Sequence, residues 1–418
     1  MAPWAAVIVL TLIWFTALDH YGVWCHKLSA TEKLNLRRQL KRLSKPAVTT
    51  IQVIKKTLIS IFGVPSSYLT IKFLDFFFSF DSKQTKYGDT YDCVDFYEQP
   101  AFDHPLLKDR KYEFQVWASS QKVDMDASDI DPFDIWVNGK GCPSNTVPIR
   151  KMERKELIRT NMAAKLAHNI STDANQEFAI LRTQESKRYY GGGMITSVYH
   201  PQVGKTQYSA SRVKFQNGPD SIAVGWTVNP SLYPDGGTRL FIYTTTKNSN
   251  CYNTYCPGFI ILRTDIPLDL LLKPYSTPGK TTYEKKVFVR KDPANGNWFL
   301  QIGIINATVG TWPQKIFTGL SSFANYIDWG GEVYSPAGVA PPQMGAGYVP
   351  VAQRLDYDCY GIQVTVINDQ ERVDYDPPSL KRYNSSPKNY SLIDEGNHGD
   401  IFQRIIVFGG NSSPSNNE

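Results

Sequence analysis

The chain has 418 residues, 20% charged and 42% apolar, with a formal net charge of +6. That length allows two domains, and the apolar share excludes a wholly disordered chain. Lys and Arg are scattered rather than clustered, so no nucleic-acid footprint is present and no nucleic-acid partner is expected.

The N-terminus opens on an apolar run, Ala5 to Leu18, of signal-peptide length and too short for stable membrane insertion. Residues 1–30 are therefore expected to be a signal peptide. Five Asn-x-Ser/Thr sequons, at Asn169, Asn306, Asn384, Asn389 and Asn411, fit a secreted glycoprotein. Residues 31–46 have Leu36, Leu40 and Leu43 at helical spacing and end at Pro46, which predicts a short amphipathic helix. Residues 53–84 break the pattern with a Phe-rich run having neither helix nor strand periodicity, and Gln52 reads smoothly on to Thr85 without them. They read as a suspect insertion, either a retained intron or a genuine hydrophobic segment.

Residues 85–150 carry two dense motifs, each holding one cysteine, and Cys93 and Cys142 form the natural pair for a small disulfide-pinned module. His104, between Asp103 and Pro105, reads as a turn residue, since no Ser or Cys nucleophile motif accompanies it. Residues 151–176 are charged, then polar, without strand alternation, and read as a linker open to proteases. From 177 to 410 short alternating strands are separated by turn clusters such as Pro234-Asp-Gly-Gly237. The expected class is mostly β, an antiparallel sandwich or barrel. Cys251 and Cys256 bracket four residues and staple one loop, and without further Cys or His nearby they make no zinc site. Residues 411–418 read as a disordered tail.

The chemistry is narrowed by what is missing: there is no GxSxG, HExxH or P-loop. Carboxylate acid–base chemistry remains, in which one carboxylate activates water and a second, held protonated, donates to an oxyanion. Glu332 is the candidate, because Trp329-Gly330-Gly331 reads as a turn that aims it into a cleft.

The motifs together resemble the plant neprosin family. The first module matches through Asp92-Cys-Val-Asp, Gln99-Pro-Ala-Phe-Asp-His-Pro-Leu-Leu-Lys108, Cys142-Pro and Thr146-Val-Pro-Ile-Arg150. The second matches through Gly225-Trp226, Pro230-Ser-Leu-Tyr233, Cys256-Pro-Gly-Phe259, Lys291-Asp-Pro293, Ile327-Asp-Trp-Gly-Gly-Glu-Val333 and Gln343-Met-Gly-Ala-Gly347. The resemblance implies an activation peptide over 31–150 and a β-sandwich glutamic endopeptidase domain over 177–410. It implies secretion as a zymogen to an extracellular or vacuolar location, and acid-pH cleavage after proline by two glutamates, without metal or cofactor. One glutamate matches Glu332. The other lies in a strand that in the family reads Ser-Ile-Glu-Ala-Gly-Trp, and here that position is Ala223.

A methyl group neither takes a proton from water nor donates to an oxyanion. The expectation is a relative with impaired or absent peptidase activity that binds proline-containing peptides or cell-wall proteins, besides its own activation peptide; the alternative is an active enzyme. Trp226, Tyr233 and Trp329 are candidate cleft walls. Cys359, whose partner would be expected near the C-terminus, has none.

Overall fold

The computed structural model describes residues 82–108, 135–137, 139, 141–151, 176–185 and 187–411, with isolated helical positions at 34, 37, 38, 41, 156 and 158. The expected signal segment, most of the suspect insertion, most of the linker and the tail beyond Asn411 lie outside these residues. Met1–Leu40 forms a unit of its own, and everything below concerns the unit Lys41–Glu418.

A three-stranded antiparallel sheet comes first: β1 (Ser82–Gln84), β2 (Thr90–Asp95) and β3 (Thr146–Arg150). Ser82–Gln84 falls at the end of the suspect insertion, but its backbone pairs with β2, so the module's sheet begins there. Pro148 is tolerated in β3 because that strand is an edge, where a missing N–H breaks no ladder. The Cys93–Cys142 disulfide ties β2 to the loop before β3. Three tight 3-10 turns follow β2. His104 caps the last one, accepting from the Leu106 amide at 3.2 Å, and so has the turn role its neighbours suggested.

Two larger antiparallel sheets form the sandwich. One runs, in spatial order, β17 (Lys381–Asn384), β4 (Gln176–Arg182), β14 (Tyr326–Tyr334), β6 (Tyr208–Asn217), β7 (Asp220–Val228), β8 (Thr238–Thr246), β9 (Ser249–Tyr252). The other runs β10 (Ile260–Ile261), β13 (Ala307–Trp312), β12 (Trp298–Ile302), β11 (Glu284–Lys291), β5 (Gly191–Ser197), β15 (Cys359–Ile367), β19 (Arg404–Gly410), β18 (Tyr390–Asn397), with β16 (Val373–Asp374) beside β15.

Alternation decides which side chains meet between these sheets. Val213 and Phe215 of β6, Ile222, Val224 and Trp226 of β7, and Ile327 and Trp329 of β14 point inward. They pack with Val287, Leu300, Val366 and Phe408 of the opposing sheet. The intervening residues of the same strands form the outer face of the seven-stranded sheet.

The first module shares this core: Tyr91, Val94, Phe96, Phe102 and Trp136 belong to the same apolar cluster. The Gln99 side chain acts as a stand-in strand at the sheet edge, donating to the Ile261 carbonyl (3.1 Å) and accepting from the Ile261 amide (2.7 Å). Trp136 Nε1 donates to the Asp265 carbonyl at 2.9 Å, and the Cys142 amide to the Thr264 carbonyl at 2.8 Å. Asp89 closes the contact with a two-pronged bridge to buried Arg239, at 2.8 and 2.9 Å.

Candidate active site

Glu332 sits in the middle of β14, not after a turn. The two glycines before it answer to packing. Gly330 has φ +134°, and a Cβ there would lie 2.3 Å from the Ala179 carbonyl oxygen of β4. A Cβ on Gly331 would lie 2.3 Å from Met344 Sδ in the core. Strand alternation, rather than a hinge, aims Glu332 outward.

Register places the rest. Glu332 lies opposite Ala210 of β6, which lies opposite Thr227 of β7. Ala223 lies opposite Lys214, which lies opposite Asp328 of β14. Cross-strand partners share a face, so Glu332, Arg212, Lys214, Asp328 and Ala223 all lie on the outer face. The two positions that the family resemblance assigns to catalysis are therefore on one surface, on strands separated by β6.

Around Glu332 the polar contacts are complete. Its side chain is 18% exposed, open enough to meet a ligand. The Tyr208 hydroxyl donates to Oε1 at 2.6 Å, and Arg212 Nε donates to Oε2 at 2.7 Å. Burial, then the Glu332 charge, pushes the Tyr208 hydroxyl well above its ordinary pKa and keeps it a donor. Arg212 is itself buried and also donates to Asp328, whose other oxygen takes Arg182 at 3.0 and 3.2 Å. Burial alone would weaken the Arg212 charge, but the two carboxylates more than offset it and hold its pKa above the ordinary value.

No second carboxyl group bonds Glu332 among the described residues. Asp328, four residues back along β14 on the same face, meets Glu332 only through Arg212, which donates to both carboxylates. It is fully buried, with both oxygens engaged by arginines. Asp220, the other nearby acid, lies at the core edge and accepts from the Thr318 amide (2.6 Å), the Thr318 hydroxyl (3.0 Å) and the Leu320 amide (3.2 Å). Thr227 is buried and gives its hydroxyl to the Ser209 carbonyl.

The Ala223 neighbourhood differs. Its cross-strand neighbours are Lys214 and Tyr243. Tyr243 packs on Tyr252 with ring centroids 4.5 Å apart. Burial, then the Glu332 charge, raises the Tyr243 pKa to about 12. Lys214 is half-buried and has no hydrogen bond or ion pair among the described residues.

The three aromatic residues expected to wall a cleft do not do so. Trp226 and Trp329 point into the core and donate to the Ser197 and Gly193 carbonyls at 2.9 and 3.2 Å. Tyr233 is buried, with its hydroxyl on Asp269 and its ring under Arg239 and Arg150. Indole and phenol groups need a buried partner for their polar atom, and the core supplies it. Both expected disulfides form, and Cys359 is free and buried. Asn306 is exposed on a turn, Asn384, Asn389 and Asn411 are partly exposed, and Asn169 lies outside the described residues.

Tyr208, Arg212 and Lys214 stand in no motif, and Asp328 stands inside the Ile327–Val333 motif without being singled out by it. The available signal is the period-2 alternation of β6, which puts Tyr208, Arg212 and Lys214 on one side and Val213 and Phe215 on the other. A cavity of about 490 Å³ lies elsewhere, at the end of β11, lined by Lys291, Asp292, Asn295 and Gln314 among others. Among the described residues, no three His, Cys, Asp or Glu side chains converge as metal ligands would, and no helix is long and apolar enough to cross a membrane.

Two family models match consecutive stretches: the neprosin activation peptide over residues 82–191 and neprosin over residues 205–411. The chain belongs to the neprosin family. The activation-peptide match extends to 191, although β4, at Gln176–Arg182, is an inner strand of the sandwich. Two solved structures are also similar. A scytalido-glutamic peptidase with a peptide-based transition-state analogue is 9% identical, with TM-score 0.32, covering 57% of this chain and 98% of that one. SCP-B, a member of the eqolisin family of peptidases in complex with the tripeptide Ala-Ile-His, is 8% identical, with the same score and coverage.

Proposed function

We propose that this protein is a secreted, glycosylated neprosin relative whose peptidase activity is impaired at Ala223 and which binds proline-containing peptides or cell-wall proteins. It is made with its activation peptide docked, and acts outside the cell or in the vacuole after processing in the 151–176 linker. One observation carries the reading. Glu332 keeps both polar partners on the outer face, while the position that should supply the second carboxylate on that face is a methyl group with a lysine beside it. Loss of a positioned acid–base group typically costs about 10²–10⁴-fold in rate. The partly exposed edge of Glu332 can still meet a peptide.

The test is hydrolysis of a proline-containing reporter peptide at acid pH by the processed protein and its Ala223→Glu variant. The variant should be at least about a hundredfold faster. Equal, measurable activity in both would favour the alternative, an active acid-pH endopeptidase cleaving after proline with a different partner for Glu332.

A further inference from the structure

On the outer face of the seven-stranded sheet, every charged neighbour of Lys214 is engaged with another group. Asp328 directly opposite it gives one oxygen to Arg212 and the other to Arg182. Glu332 is held by Arg212 and Tyr208. On its other side stands Ala223, where an acidic side chain would have been the direct cross-strand partner of the ammonium. Among the described residues Lys214 is thus a half-buried cation with no carboxylate of its own, beside Ala223. Burial, first, and Arg212 pull its pKa down, against the pull of Asp328 and Glu332, as expected for a charge short of a counter-ion. A buried charge without a partner is costly, so the site favours any anion that arrives.

We infer that the outer face takes a carboxylate carried by its peptide ligand, seated on the Lys214 ammonium beside Ala223. The ligand then supplies in trans the charge that residue 223 lacks. This inference rests on the peptide-binding reading above, and it names the ligand class: an acidic peptide, through either an aspartate or glutamate side chain or a free C-terminus.

Three proline-containing fluorescent peptides separate these sources: one with an internal Glu and an amidated C-terminus, one with Gln and a free C-terminus, and one with Gln and an amide. They are titrated against the full chain nicked between Lys151 and Gln176, so that all residues are present. At least one acidic peptide should bind about tenfold or more tightly than the neutral one, the size of a charge-assisted hydrogen bond. The preference should fall within about twofold in both Lys214→Met and Ala223→Glu, the latter because the introduced carboxylate would neutralise the lysine internally. Equal binding of all three, or a preference that survives Lys214→Met, overturns the inference. A second measurement needs no peptide: propionate should slow acetylation of Lys214, read by mass spectrometry, in the wild type and not in Ala223→Glu. Absence of protection in the wild type also overturns it. Protection by propionate with no peptide bound would support the carboxylate site and sink peptide binding.

Discussion

The two ends of one sheet face, around Glu332 and around Ala223, differ in how their charges are partnered. At Glu332 a carboxylate, a tyrosine hydroxyl and a buried arginine satisfy one another, and the arginine passes its second bond to Asp328. At Ala223 the outward side chain is a methyl group, and its cross-strand neighbour Lys214 makes no hydrogen bond or ion pair among the described residues. The strand's register rests on inward residues such as Ile222, Val224 and Trp226, so it does not depend on what the outward side chain carries.

The difference can be tested by substitution. The largest effect is expected on rate: if Ala223→Glu restores hydrolysis, adding Glu332→Gln should remove about 10²–10⁴-fold of it in the same reporter assay. Next comes Arg212→Met. It removes one of the two arginines on fully buried Asp328 together with the charge partner of Glu332, and should cost about 3–5 kcal/mol in denaturant unfolding. Tyr208→Phe removes the bond it donates to Glu332 and the one it accepts from Gln176, and should cost about 1–3 kcal/mol by the same measurement. Lys214→Met, at the other end, should be neutral or slightly stabilising, within about 1 kcal/mol, because it removes a charge that makes no direct ion pair among the described residues. A large loss of stability there would mean that the two ends are alike.

A pH experiment sharpens the comparison from outside the face. Burial raises the Asp358 carboxyl to about 6. A carboxyl raised above its unfolded value favours the fold below the unfolded pKa of about 4, and that contribution is lost as pH rises through about 6. Melting temperature should therefore fall from pH 4 to pH 7, and Asp358→Asn should flatten that slope.

Much of the architecture was legible because alternation is a local signal. The strands around Phe215, Val224 and Val287 announce their inward faces residue by residue, and both disulfides follow from which cysteines share a module or a loop. The site was half legible. Glu332 and Ala223 could be found one at a time, but their shared face depends on β6 lying between β14 and β7, a register set by residues more than a hundred positions apart. Trp226, Trp329 and Tyr233 misled for a related reason: a motif-rich aromatic looks the same in sequence whether it faces a ligand or the core. The Gly330-Gly331 pair misled because glycine marks close approach as readily as it marks a bend.

The activation peptide and the sandwich bury their apolar side chains in one cluster, and Asp89 grips Arg239 across the seam. Cutting the chain between Lys151 and Gln176 would therefore sever the backbone without parting the pieces. Shedding the front module would uncover Tyr91, Phe96 and Trp136 on one fragment and the Ile260–Ile261 edge on the other. The clipped protein should persist as a two-chain complex until something draws those surfaces apart.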